Sequence, residues 1–203
     1  TVTAIAGTRV VLIAMDIDDK LRKGLLGFTI WRTGPDPANP KRLITIPLKG
    51  GMHFEAAGVW IDASNRATLT GQSDRHPIQA FLWGDYAATP DTDYDYKVVA
   101  RYGKPGALTD GATVTVSVST EDEDIGEHAV YFNRGVAGSQ AYARKFNAHK
   151  RYYKKMGRWQ GFIRPSDVPD HAAYRWLSRG LEEAMLDFVA QAEDETYAQR
   201  VDE

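Results

Sequence analysis

Residues 89–102, Thr-Pro-Asp-Thr-Asp-Tyr-Asp-Tyr-Lys-Val-Val-Ala-Arg-Tyr, constrain the fold of this chain more than any other stretch. Tyr94, Tyr96, Val98 and Ala100 alternate with Asp93, Asp95, Lys97 and Arg101, with Val99 among the latter. Successive strand side chains point to opposite faces, so this period of two predicts a half-buried strand, apolar inward and charged outward. Pro90 marks a corner just upstream, and Thr92 and Tyr94 follow it at two-residue steps.

The stretches on either side read as further strands. Residues 9–17 are a buried strand, and 25–33 a second one with Leu26, Phe28 and Ile30 on one face and Trp31 on the other. Gly34-Pro35 reads as its breaker, followed by a loop over 34–40 and a strand over Arg42 to Leu48. Val59-Trp60-Ile61 and Ala67 to Thr70 are expected to be short strands in an insertion. Residues 76–86 predict a strand alternating around Ile78, Ala80 and Leu82. Gly103 to Gly106 is a turn, and Ala112 to Thr120 a closing edge strand with Val114, Val116 and Val118 on one face. Short strands separated by turns every ten residues or so point to a β-sandwich over residues 1–120.

The pattern changes at Glu121-Asp122-Glu123-Asp124, an acidic linker opening a helical segment, 121–203. Ser139 is a helix cap, since its hydroxyl accepts from a free backbone N–H. Tyr142, Phe146, His149, Tyr153 and Met156 recur at steps of four and three, one face of a helix that ends at Gly157. A second helix is expected from Asp167–Asp170, with Pro169 in its first turn. Its face is Ala173, Leu177, Leu181, Ala184 or Met185, and Phe188. The chain begins at Thr1 without a methionine, so either a start was processed or the chain is cut from a longer one, and its end at Asp202-Glu203 without a helix stop points to a cut there.

Several chemistries are excluded by what is missing. There is no cysteine, which rules out disulfides, thiol catalysis and cysteine-based zinc sites and fits a reducing, cytoplasmic compartment. No apolar run approaches the roughly 18 residues of a membrane span. Phosphate-binding glycine loops and the Gly-x-Ser-x-Gly elbow are absent. His53, His76, His128, His149 and His171 are not spaced as a zinc helix requires. Asp16, Asp18 and Asp19 offer three carboxylates to a hard cation, but the glycine and distal glutamate of a calcium loop are missing, so a solvated loop is the better reading. No metal, cofactor or catalytic residue is implied.

The candidate binding residues are basic. From Gln140 to Arg164 there are eight Lys or Arg and no acidic residue. Lys150, Arg151, Lys154, Lys155 and Arg158, interleaved with Tyr152, Tyr153 and Trp159, are candidates for holding phosphates of nucleic acid or anionic lipid. The competing reading is internal: residues 165–203 carry ten Asp or Glu against three Arg, which can pair with the basic helix.

Pro90-Asp91-Thr92-Asp93-Tyr94-Asp95-Tyr96-Lys97-Val98 resembles the F strand of fibronectin type III domains, relatives of the immunoglobulin sandwich. A longer resemblance covers most of residues 76–190. Glu-Asp-Glu-Asp-Ile-Gly-Glu-His-Ala-Val-Tyr-Phe-Asn-Arg-Gly-Val-Ala-Gly-Ser-Gln-Ala-Tyr-Ala-Arg-Lys-Phe (121–146) resembles a block of bacterial phospholipase D-like proteins. There it lies between an N-terminal fibronectin-like segment and the catalytic region. His-Pro-Ile-Gln-Ala-Phe-Leu-Trp-Gly-Asp-Tyr (76–86) is similar to their sandwich. Trp-Leu-Ser-Arg-Gly-Leu-Glu-Glu-Ala-Met-Leu-Asp-Phe-Val (176–189) is similar to the helix that opens their first catalytic half. That family's signature is His-x-Lys-x-x-x-x-Asp, whose histidine attacks phosphorus. This chain has no His-x-Lys, and His149-Lys150 has the wrong spacing.

The resemblance therefore implies a mainly β protein, a fibronectin type III-like sandwich followed by a helical segment. It implies an accessory front region of a bacterial phospholipase D-like phosphodiesterase acting on lipid or nucleic acid, not a hydrolase by itself. The expected partner is the catalytic region of the same parent chain, against which the Leu177, Leu181 and Phe188 face would pack. The alternative is a self-contained binding module for a protein, glycan or anionic partner.

Overall fold

In the structure, a computed structural model, residues 1–50, 54, 71–125, 128–134, 142, 145–146 and 164–192 are described. The chain forms two compact units, Thr1–Ile125 and Gly126–Glu203. The first is mainly β, and the described helices of more than one turn lie in the second.

Seven strands of four residues or more build the described part of the first unit. They are β1 (Val2–Ala6), β2 (Val11–Met15), β3 (Leu25–Asp36), β4 (Asn39–Pro47), β5 (Leu82–Asp85), β6 (Asp93–Lys104) and β7 (Ala107–Ser119). A single helical turn, α1 (Asp19–Arg22), joins β2 to β3. The strands form two antiparallel sheets, ordered β1-β2-β5 and β4-β3-β6-β7. Both contribute to one core: Val11, Ile13 and Met15 from the first, Phe28, Ile30, Tyr94, Tyr96, Val98 and Ala100 from the second. Burying each of these large apolar side chains contributes roughly 1.5–3 kcal/mol.

The period-two reading of residues 93–101 holds on the inward face, where Tyr94, Tyr96, Val98 and Ala100 are all buried. The corner is present as well. The Thr89 backbone N–H donates to the Tyr94 hydroxyl at 3.1 Å, and the Thr89 hydroxyl lies 2.9 Å from it. Val116 and Val118 pack against the core from β7, which among the described strands pairs with β6 alone, as an edge strand should.

Four expectations are corrected. First, Val2–Ala6 is a strand that sequence reading passed over, held by pairing with Val11–Met15. Second, Gly34-Pro35 does not break β3, and residues 34–40 are a hairpin rather than a loop. Pairing with β6 ends at Thr33↔Asp95, so Pro35 is flanked only by β4, where its missing N–H is tolerated. A Cβ on Gly34 would meet the Tyr94 ring at 2.4 Å, so the glycine is where that ring sits. Third, residues 76–86 are not one strand. Ile78 makes an isolated bridge to Phe28, and β5 begins at Leu82, which faces outward while Trp83 and Asp85 face the core. Fourth, the acidic stretch after β7 is folded onto the first unit. The Thr120 N–H donates to Thr92 O at 3.0 Å and the Glu121 N–H to Gly7 O at 3.3 Å. Glu123, nearly buried, accepts from Arg9 Nη2 at 2.6 Å. The expected insertion strands around Val59 and Ala67 lie outside the described residues.

In the second unit, Tyr142, Lys145 and Phe146 are helical. The Tyr142 and Phe146 side chains are buried with Val168 and Ala173, and Trp176 packs against them, its ring edge-on to Phe146 at 5.7 Å between centroids. The rest of that predicted helix face, His149, Tyr153 and Met156, lies outside the described residues. The second helix is two. Pro169 opens a 3₁₀ turn (Pro169–His171), followed by α2 (Ala172–Ser178) and α3 (Leu181–Ala192). Arg179 and Gly180 both adopt the left-handed conformation, φ 55° and 88°, and the Arg179 N–H donates to Arg175 O at 3.1 Å. A glycine just past a helix end takes that conformation without Cβ strain, which is why the helix stops there.

Candidate interaction surface

The candidate phosphate-binding residues Lys150, Arg151, Lys154, Lys155 and Arg158 lie outside the described residues.

The aspartates after β2 are described, and each has an ordinary task. Asp18 caps α1, accepting from the Lys20 N–H at 2.9 Å. Asp16 and Asp19 each pair with Arg22 at 3.2 Å. Among the described residues, no group of three or more His, Asp or Glu is placed to hold a metal ion. Of the histidines, His76 accepts from the Phe54 N–H at 3.1 Å, and His171 is exposed at the entry to α2.

The most concentrated charge chemistry lies inside the core of the first unit. Arg32 Nη1 on β3 donates to Asp85 Oδ2 on β5 at 2.9 Å, and the Tyr96 hydroxyl donates to the same oxygen at 2.9 Å. The other Asp85 oxygen accepts from the Ala87 N–H at 3.0 Å. The Arg32 guanidinium lies 5.3 Å from the Tyr94 ring centroid. Burial, with the Asp85 carboxylate beside it, pushes the Tyr96 phenol well above its ordinary range. Both Asp85 oxygens are satisfied by protein and the Asp85 side chain is 3% exposed, so this is a tie between the two sheets rather than a reacting centre. A hydropathy pattern misses it because Asp85 is a charge facing inward.

The second unit presents a surface of another kind. Along α3, Met185, Leu186, Phe188 and Val189 are 61%, 64%, 74% and 58% exposed. Single exposed apolar residues are ordinary, but a contiguous group marks an interaction surface. Tyr174, Leu177, Leu181, Met185, Leu186 and Val189 line a groove of about 560 Å³ along α2 and α3. Arg134, next to the groove-lining Asn133, is held at the end of α2. The Arg134 N–H donates to Leu177 O at 2.7 Å and its Nε to Trp176 O at 3.0 Å, satisfying carbonyls at the end of α2. Its guanidinium stacks 4.1 Å from the Trp176 ring centroid. Sequence periodicity found Leu177, Leu181, Met185 and Phe188. It did not find Leu186 and Val189, which widen the apolar stripe.

No model of a known protein family matches this chain, and no curated protein matches its sequence.

Proposed function

We propose that this chain is the accessory, non-catalytic front region of a phospholipase D-superfamily phosphodiesterase, and that the exposed face of α3 docks against the catalytic region. One observation carries this reading. Met185, Leu186, Phe188 and Val189 are all more than half exposed on a helix whose sequence, 176–189, resembles the one that opens the family's first catalytic half. A helix that completes its packing on a catalytic region would present such a face when that region is not there to cover it.

The first unit supports the same reading as a fibronectin type III-like sandwich. Lettered A, B, C, C′, E, F, G in chain order, its strands give A-B-E in one sheet and C′-C-F-G in the other, the arrangement of that class. The Tyr94 corner stands where that class places it, at the start of the F strand. The role rests on the same resemblance: without His-x-Lys-x-x-x-x-Asp the chain lacks that family's nucleophile for phosphorus, which favours a positioning or recruiting role.

Hydrogen exchange on residues 181–192 tests the docking. These amides should exchange fast in this chain alone and be protected at least about tenfold when the protein extends into the catalytic region. Equal exchange in both would favour a self-contained binding module instead.

A further inference from the structure

Among the described residues, the outward strand positions of the β1-β2-β5 sheet carry no charge. The inward positions of its strands are Val2, Ala4, Ala6, Val11, Ile13, Met15, Trp83 and Asp85. That leaves six outward positions in two cross-strand rows: Thr3, Ala14 and Leu82, then Ile5, Leu12 and Gly84. Ile5, Leu12 and Leu82 are 62%, 37% and 54% exposed. A Cβ on Gly84 would lie 2.8 Å from the Tyr86 ring, so that ring lies over the glycine and extends the second row. The other sheet contrasts with this. Its outward residues on β6 include Asp93, Asp95, Lys97 and Arg101, and two of these aspartates accept from Ser117 and Ser119. Antiparallel sheets that face water normally alternate apolar inward and polar outward, as β6 does.

We infer that this face is a self-association surface, on which a second copy of the chain stacks sheet against sheet about a two-fold axis. Three observations select a second copy. The face has no charge with which to match a partner of the opposite sign, whereas an identical uncharged face suits it. It is a sheet surface, and two such surfaces pack at about 10 Å, as inside a sandwich. It also alternates in size along its central strand, with exposed Leu12 two residues from small Ala14. A two-fold axis between these residues seats each Leu12 over the other copy's Ala14, the self-complementary arrangement that an isologous interface needs. Area sets the strength. Three strands about 4.8 Å apart and five residues long cover roughly 14 by 17 Å. Two such faces fall short of the ~1,200 Å² of a standard stable interface, so the dimer is weak and reversible.

The chain has no cysteine, so one introduced thiol reports on one place. Ala14→Cys lies on the central strand and is reached only through the face, not through a sheet edge. At high protein concentration a short bismaleimide should link Ala14→Cys into a covalent dimer. It should not link Thr115→Cys, which lies on the outward side of the other sheet. Adding Leu12→Lys or Ile5→Lys to Ala14→Cys should lower crosslinking at least about tenfold while leaving the melting transition in place, since both side chains point to solvent. Adding Leu186→Lys should leave it unchanged, because the dimer does not depend on α3. Absence of crosslinking at position 14, equal crosslinking at 115, or loss with Leu186→Lys but not with Leu12→Lys would overturn the inference.

Discussion

The Tyr94 hydroxyl accepts from the Thr89 N–H at 3.1 Å, closing the corner that leads into the longest-paired strand of the first unit. The same ring covers Gly34 and lies 5.3 Å from the Arg32 guanidinium. One side chain thus joins a turn, a glycine and a buried charge. Tyr94→Phe keeps the ring and loses the hydroxyl. It should cost about 1 kcal/mol, a fall of roughly 4 °C in melting temperature. Thermal denaturation followed by circular dichroism reads this; an unchanged melt would mean water replaces the hydroxyl at no cost.

Gly34→Val should be worse. A side chain there collides with the Tyr94 ring, and β3 is held in place by pairing with β4 at Gly34↔Ile44 and with β6 up to Thr33↔Asp95. Overpacking of this kind costs roughly 1–3 kcal/mol. In a Tyr94→Ala background the same change should cost much less, and a double-mutant cycle by urea denaturation measures the difference.

Asp85→Ala leaves the Arg32 guanidinium buried without its carboxylate and removes the Tyr96 acceptor. Breaking a buried pair from one side costs about 3–5 kcal/mol. Replacing both ends, Arg32→Met with Asp85→Leu, should recover much of that loss, because no charge then remains in the core. Equal destabilisation by the single and double variants would contradict the assignment of Asp85 as the tie between the sheets.

Tyr96 gives a pH signature. Burial first, then the neighbouring Asp85 charge, raises its pKa in the folded state, whereas an unfolded tyrosine ionises near about 10. The folded state therefore holds its proton more tightly. The associated stability is complete below pH ~10 and declines as pH rises above it. Urea denaturation between pH 8 and 11 should show the decline in the native sequence and a shallower one in Tyr96→Phe. Parallel curves would contradict a buried, proton-retaining Tyr96.

Much of this was legible in the sequence where pattern is local. Alternation in residues 93–101 gave the inward face of β6, and Pro90 with Tyr94 gave the corner. Val116 and Val118 gave β7. What was not legible depends on partners distant in the chain. Val2–Ala6 is short and half made of small residues, and it is a strand because Val11–Met15 pairs with it. The phase of β5 is set by Asp85, which faces inward only because Arg32 and Tyr96 receive it. Gly34-Pro35 reads as a breaker until the Tyr94 ring and the one-sided pairing are known. Gly180, in contrast, is a local stop signal that the apolar period of the predicted second helix runs across. For the candidate surface, the helical period showed the stripe on α3. Its exposure is a matter of packing, which periodicity does not report.

The basic stretch makes its own prediction. If Lys150, Arg151, Lys154, Lys155 and Arg158 hold phosphates, binding to single-stranded DNA or anionic vesicles should weaken steeply with salt. Neutralising the first four should reduce the salt slope by roughly one for each phosphate they hold. Salt-independent binding, or unchanged binding by the neutralised variant, would assign these residues to internal pairing with the acidic 165–203 region.

The most direct measurement on the accessory role is the coding sequence that continues the reading frame past Glu203. The account predicts two His-x-Lys-x-x-x-x-Asp motifs downstream, with α3 leading into the first catalytic half. A stop codon immediately after Glu203 would contradict it, because no catalytic region of the same chain would then exist for the α3 face to meet.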